Sequence, residues 1–235
     1  MRVSDKAIVL QAIKHGDKKF ILKLYTRNNG LVTASVALNK NIRSSNIFPL
    51  SLINVELVLK QNKDVHQVTE ASSYYILSNI SNSFSKLSIV QFLNEILIKS
   101  IKESATNTHL FEFIESCLIY LNDTETEFVN LHLYFLIEFT KFFGVEPQNN
   151  YSLQAPYFDC RDGQFSSMSL AFPLGLGKED SVLFSEFLKV NALKSKISNE
   201  QRQIILEVLL AYYRLHFPGF NNIKSLEVLK EISSV

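Results

Sequence analysis

The sequence predicts a β + α chain with two parts: a small closed barrel of five strands, then an all-helical region with a short extended insertion. Three observations support this. Short β-type segments separated by turn signals fill residues 1–77. The apolar residues take up a helical period over residues 78–235. That period is interrupted near residues 151–170, where the insertion is expected.

The barrel prediction depends on strand length and alternation. In the second segment Phe20, Leu22 and Leu24 point one way and the residues between them the other. The tripeptide Asn28-Asn29-Gly30 favours a tight turn after it. Five short strands without helices between most of them are typical of a small barrel. The predicted strands are Ala7–Ile13, Lys18–Tyr25, Leu31–Leu38, Leu52–Gln61 and Asp64–Ser73.

The helical region is predicted from apolar stripes and from capping signals. Ser88-x-x-Gln91, Thr124-x-x-Glu127 and Ser198-x-x-Gln201 each match a capping box, so a helix is expected to open at each. The turn Asp162-Gly163 is expected to join two short extended pieces of the insertion. The predicted helices run from Ser88 to Ile101, Leu110 to Leu121, Phe128 to Gly144, Lys178 to Val190, Ser198 to Pro218 and Ser225 to Ile232.

Composition excludes several classes of protein. With 46% hydrophobic and 20% charged residues, the 235-residue chain has the composition of a soluble globular protein. No apolar run approaches the roughly 20 residues of a spanning helix, and we expect no signal peptide and no membrane association. The two cysteines, Cys117 and Cys160, rule out a disulfide framework and a four-cysteine zinc site. A reducing, cytoplasmic location is expected.

Catalytic and cofactor motifs are missing from the sequence. It has no phosphate-binding glycine loop, no nucleophile elbow and no pair of histidines at metal spacing on one helix. The five histidines are scattered, and Asp159 with Asp162 is better explained by a turn than by a cation site. We therefore expect no enzyme activity, no metal and no cofactor.

Charge is distributed unevenly along the chain. Residues 1–80 contain 11 lysines and arginines against five carboxylates, a net charge of +6, whereas the remainder has a net charge of −5. Binding of single-stranded nucleic acid requires cations and an aromatic ring on one face of the barrel. The lysines could instead simply be solvent-exposed residues on the outside of the barrel. The candidate DNA-binding residues are Lys14, Lys18, Lys19, Lys23, Tyr25, Arg27, Lys40 and Arg43. Tyr25 could equally pack under a helix, and RNA remains open as the ligand.

The order of several segments resembles the RecO family of bacterial recombination mediators over nearly the whole chain. The segments are AIVL (7–10), ILKLYTRNNGLV (21–32), the basic stretch Asn39–Leu50, FLNEILIKSI (92–101), LFEFIESCLIYL (110–121), FVNLHLYFLIEFTKFFGVEP (128–147), YFDCRDGQF (157–165) and HFPGFNNIKSLEVL (216–229). The resemblance implies an N-terminal OB-fold, a helical C-terminal domain and no catalytic site. It also implies binding and annealing of single-stranded DNA, binding of double-stranded DNA, and a cytoplasmic bacterial protein that associates with the nucleoid during repair.

The implied protein partners are RecR, the acidic and apolar C-terminal tail of the single-stranded DNA-binding protein SSB, and indirectly RecA, which is loaded onto SSB-coated DNA. A tail of this kind needs an apolar pocket and a cation, and Lys141, Arg202 and Arg214 are candidates on the helical region. The sequence departs from the family in two ways: only Cys160 occupies the region where some relatives have four zinc-binding cysteines, and Asn39–Leu50 is less basic than usual. An adaptor that binds only proteins is the alternative.

Overall fold

A computed structural model describes residues 1–40, 42–102, 105–190 and 192–232. Position 41, within the predicted basic stretch, lies outside the described residues. The chain forms two compact units, Met1–Asp123 and Thr124–Val235. The change from strands to helices near residue 77 therefore falls inside the first unit, and a domain boundary at that residue stays a prediction.

The first unit is built on a closed five-stranded barrel, as the alternating segments predict. Its strands lie in the order β1-β2-β3-β5-β4, with β3 parallel to β5 and every other pair antiparallel. The strands are β1 (Arg2–Lys14), β2 (Lys19–Thr26), β3 (Gly30–Ala37), β4 (Leu52–Val58) and β5 (His66–Tyr75).

The length of β1 closes the barrel. Its first half pairs with β4, from Arg2 opposite Val58 to Ile8 opposite Leu52. Its second half pairs with β2, and a register shift between Val9 and Gln11 lets the strand bend from one partner to the other. The sequence predicts only the apolar second half of this strand, because the residues at its start are mostly polar.

Alternate side chains of the strands fill the barrel interior. Leu22 and Leu24 are fully buried, and Phe20 packs against the same cluster, as the alternation in β2 predicts. Gly30, with φ of 64°, begins β3 after the predicted turn. The remaining core comes from small and branched residues that fit a narrow barrel: Ala7, Val9, Val32, Ala34, Val36, Ile42, Ile47, Ile53, Val55, Leu57, Val68 and Ala71.

Three helices complete the first unit: α1 (Ser78–Ser81), α2 (Phe84–Ser100) and α3 (Thr108–Asp123). The predicted start of a helix at Ser88 is wrong. Ser83 is the N-cap, since its side chain accepts a hydrogen bond from the Lys86 backbone. The Ser88 hydroxyl instead donates to the Phe84 carbonyl one turn earlier, which is how a serine inside a helix satisfies its side chain.

The second unit contains α4 (Leu131–Lys141), α5 (Lys178–Lys189), α6 (Asn199–His216), α7 (Leu226–Ile232) and a hairpin of β6 (Tyr157–Asp159) and β7 (Gln164–Ser166). The hairpin confirms the predicted insertion, with Gly163 at φ of 68° in its turn. The Ser198–Gln201 capping box is confirmed at the start of α6. The box at Thr124 is not a helix start, because residues 125–130 form bends and turns and α4 begins after Asn130. Along the described part of the chain, every helix is too short or too polar to cross a membrane.

Candidate nucleic-acid interface

A row of lysines follows the β1–β2 hairpin and the outer side of β2. Lys14, Lys18 and Lys19 are exposed, and Lys23 is half-buried. The loop of this hairpin is held in place, because the His15 backbone donates to the Lys19 carbonyl (2.8 Å) and the backbone of Leu38, just after β3, donates to the Lys18 carbonyl (2.7 Å). Among the residues that the structure describes, none of these lysines forms an ion pair. Their charges are therefore available to an anionic ligand.

A fifth cation joins this row from the helical part of the unit. The pKa of Lys23 is lowered, first by burial and then by the nearby charge of Lys102, which follows α2. Lys102 is exposed. The repulsion between the two ammonium groups is relieved by an anion placed between them. Seventy-nine positions separate these lysines, so no sequence period could have paired them. We call Lys14, Lys18, Lys19, Lys23 and Lys102 the lysine face.

Tyr25 is not a stacking platform in this fold. It points out from β2 as the alternation requires, but it is only 1% exposed. Its ring packs on Phe111 of α3, with centroids 6.3 Å apart, and its hydroxyl donates to the Asn107 carbonyl at 3.3 Å. Burial raises the pKa of its phenol to about 12. The alternative interpretation, packing under a helix, is the correct one.

Arg27 lies beside α3 rather than with the free lysines. Its guanidinium donates to a Glu112 carboxylate oxygen at 2.5 Å. Lys6 forms a second ion pair with Glu115 at 3.5 Å and lies over the Tyr74 ring. Both pairs dock α3 onto the barrel, so part of the basic character of the first 80 residues is neutralised within the unit.

Lys40 and Arg43 lie in the connection that follows β3. They line a groove formed by the β3–β4 connection, the end of β5, and helices α1 and α2. Among the described residues neither forms an ion pair. Of the eight predicted residues, four belong to the lysine face, Tyr25 and Arg27 contact α3, and Lys40 and Arg43 line this groove.

Lys60 and Lys63 were missed as site candidates. They lie in the β4–β5 connection, residues 59–65, which leads into His66 opposite Ala34 of β3. OB-folds bind oligonucleotides on the face of strands 2 and 3, between the β1–β2 and β4–β5 loops. The signal was present in the sequence, because both lysines fall between the fourth and fifth predicted strands.

The three cations that are candidates for holding an acidic tail differ in exposure and in their partners. Arg202 is only 8% exposed, and its guanidinium donates to Asn130 at 2.9 Å and Asn199 at 2.5 Å. Lys141 is bonded to both carboxylate oxygens of Glu138, at 2.7 and 2.9 Å. Arg214 is exposed, but it lies twelve residues from Arg202 on α6, a rise of about 18 Å.

The β6–β7 hairpin does not provide a zinc site. The Cys160 thiol is buried, and its pKa is raised to about 12 by burial and by Asp159. Asp159 accepts hydrogen bonds from Arg161, which lower the pKa of its carboxyl, and His216 bonds to the Cys160 carbonyl at 2.9 Å. The described residues contain no group of three or more histidine, cysteine or acidic side chains that could hold a metal. The residues present therefore do not fit the four-cysteine zinc site that the resemblance implies for some members of the family.

The fold defines an OB-type barrel protein with a helical C-terminal region. Family models described as "Recombination protein O N terminal" and "Recombination protein O C terminal" match residues 1–76 and 81–227. The chain belongs to the RecO family of DNA repair proteins. Proteins named "DNA repair protein RecO" from Flavobacterium psychrophilum and Flavobacterium johnsoniae are 32% and 33% identical to it over the full length of both chains. The protein of that name from Christiangramia forsetii is 32% identical over 99% of each.

Proposed function

We propose that this chain is a cytoplasmic recombination mediator that binds and anneals single-stranded DNA and has no catalytic site. With RecR, and through contact with SSB, it helps to load RecA onto SSB-coated DNA. Membership of the RecO family supports this role. The observation that carries the DNA-binding part is the lysine face, whose cations form no ion pairs among the described residues.

The lysine face suits a polyanion that is recognised through its backbone. Each lysine that neutralises a phosphate releases condensed counterions, so binding gains favourable entropy without any base contact. Recognition of this kind is independent of base sequence, as pairing of arbitrary complementary strands requires. With Tyr25 buried, ionic contacts contribute more to this face than base stacking.

A triple variant tests the assignment. Lys18→Ala/Lys19→Ala/Lys23→Ala should weaken binding of a labelled oligothymidine by about 100-fold near roughly 0.1 M salt, if each lysine contacts one phosphate. Fluorescence anisotropy measures the affinity, and a mixing assay with the complementary strand measures annealing. Annealing should slow in parallel, because strand pairing depends on the bound strand.

The matched control is Lys178→Ala/Lys194→Ala/Lys196→Ala, which removes three exposed lysines from the second unit. It lowers the net charge by the same amount as the first triple variant, and it should keep DNA affinity within about threefold of wild type. Equal losses in the two variants would mean that net charge, not the lysine face, governs binding. No binding by the wild-type chain would favour the adaptor that binds only proteins.

A further inference from the structure

The groove that Lys40 and Arg43 line is a concave surface of the first unit. It encloses about 900 Å³ between the β3–β4 connection, the last residues of β5, and helices α1 and α2. Sites for small organic molecules have volumes of this order, so the groove has room for a nucleotide. The segments that form its walls are far apart in sequence, and only the folded unit has this surface.

Two aromatic rings line the groove. Phe48 is 64% exposed, which is unusual for a side chain of its size. Tyr75 is half-buried, and its hydroxyl donates to both carboxylate oxygens of Asp123 at 2.7 Å, which holds the ring in one orientation. The bases of a single strand stack on aromatic rings that lie in a cationic groove. The rings therefore give this surface a means of contacting bases that the lysine face lacks.

Two amide side chains of α2 also line the groove. Gln91 and Asn94 are three residues apart, so they lie on the same face of the helix. The Asn94 Oδ1 atom is buried and accepts no hydrogen bond from any residue that the structure describes. A buried polar atom without a partner requires an explanation, and a donor on a bound molecule provides one. A side-chain amide carries both a donor and an acceptor, which is the combination that the edges of bases require.

The loop that presents Phe48 is held in place. The Asn46 side chain accepts from the Arg43 backbone at 3.0 Å and donates to Ser73 of β5 at 3.1 Å. Leu50 is fully buried with φ of 60°, and its backbone donates to a β1 carbonyl at 2.6 Å. A leucine in the left-handed region costs energy, and such strain is found where a loop keeps a shape that serves binding. A ring presented in this way needs little ordering when a ligand binds.

Positive charge continues from the lysine face to the groove. The Leu38 backbone donates to the Lys18 carbonyl at 2.7 Å, so the end of β3 lies beside the β1–β2 hairpin. Lys40 follows Leu38 by two residues, a span of at most about 7 Å. Lys40 and Arg43 are both exposed, and the lining residues that the structure describes include no carboxylate. A strand whose phosphates lie on the lysine face can therefore extend to the groove along a path of cations.

We propose that the groove binds a base of the DNA strand whose phosphates lie on the lysine face. The base stacks on Phe48 and Tyr75, its edge bonds to the amides of α2, and Lys40 and Arg43 pair with the flanking phosphates. The inference rests on the proposed function and adds base contacts to it. A duplex offers no unstacked base, so the groove favours single strands and releases them once they are paired.

The test compares two labelled strands of equal length, an oligothymidine and an abasic strand of tetrahydrofuran residues, each titrated with the whole chain at one salt concentration. Fluorescence anisotropy should show the oligothymidine bound about tenfold more tightly, which is the contribution of one stacked base. Phe48→Leu should lower this ratio to about two or less, whereas Phe48→Tyr, which keeps a ring, should retain it. Because Phe48 is exposed, neither substitution should change the circular dichroism spectrum.

Two control variants separate this inference from DNA binding by the lysine face. Lys18→Ala/Lys19→Ala/Lys23→Ala should weaken binding of both strands alike and leave their affinity ratio unchanged, because the two strands carry the same phosphates. Phe172→Leu removes a ring that is 55% exposed in the second unit, and it should leave both affinities at the wild-type value.

Equal affinity of the wild type for the two strands, or a ratio that Phe48→Leu leaves unchanged, overturns the inference and leaves the lysine face as the DNA-binding surface. Equal losses for both strands in Phe48→Leu would mean that the ring supports the loop rather than a base, which also overturns it. Absence of binding to either strand by the wild type overturns the proposed function together with this inference.

Discussion

His132 lies inside the second unit and is 2% exposed. Burial, and to a smaller extent the charge of Arg202, lower its pKa from 6.5 to about 3, while a backbone hydrogen bond with Val129 partly opposes them. The folded chain thus keeps this imidazole neutral at pH values where the unfolded chain protonates it. The free energy of unfolding should therefore fall as the pH decreases from about 6.5 towards 3.

The expected loss through His132 between pH 7 and pH 5 is about 2 kcal/mol. Urea unfolding of the wild type and of His132→Gln at both pH values measures it. The variant cannot protonate at this position, so its stability should depend less on pH by that amount. His15→Gln, on the exposed β1–β2 hairpin, is the control and should retain the wild-type dependence. Identical pH dependence in the wild type and His132→Gln would contradict this account.

The β6–β7 hairpin depends on the glycine in its turn. Gly163 has φ of 68°, and a Cβ at this position would overlap the Tyr212 hydroxyl, which donates to Val145 at 2.9 Å. Gly219 has a similar φ of 77° but open space around it. Any L-residue is strained at both positions, and only Gly163 adds a steric clash.

Gly163→Ala should therefore destabilise the chain more than Gly219→Ala does, by about 1–3 kcal/mol. Thermal and urea unfolding of both variants give the comparison. Because backbone strain is common to the pair, the difference reports the contact with Tyr212. Equal destabilisation would mean that the Tyr212 ring moves to make room for the methyl group.

Helix starts show which local signals are decisive. The Ser198–Gln201 box is confirmed because both of its reciprocal hydrogen bonds form, whereas Ser88 lies five residues after Ser83, the true cap. Asn130 begins α4 although its side chain makes no cap, since its amide bonds to Arg202 and to the Ser195 carbonyl. Capping patterns alone cannot identify the residue at which a helix begins, because that position also depends on tertiary contacts.

For the molecule as a whole, strand alternation and turn residues were sufficient to predict the barrel, because each strand has one face inside it. The candidate site was less predictable. Local sequence places Lys18 and Lys19 on a hairpin, but only the packing of α3 shows that Tyr25 is covered and Arg27 paired. The contribution of Lys102 and the groove that Lys40 and Arg43 line likewise follow from contacts between distant segments.

The salt dependence of oligothymidine affinity tests the central claim, DNA binding by the lysine face, most directly. Equilibrium anisotropy titrations of the wild type and of Lys18→Ala/Lys19→Ala/Lys23→Ala over a series of salt concentrations give the slope of log K against log salt. The wild type should show a steep negative slope, and the variant a slope shallower by about 2, since three phosphate contacts are lost at about 0.7 each. Equal slopes for the two proteins, or no binding by the wild type at the lowest salt, would contradict the account.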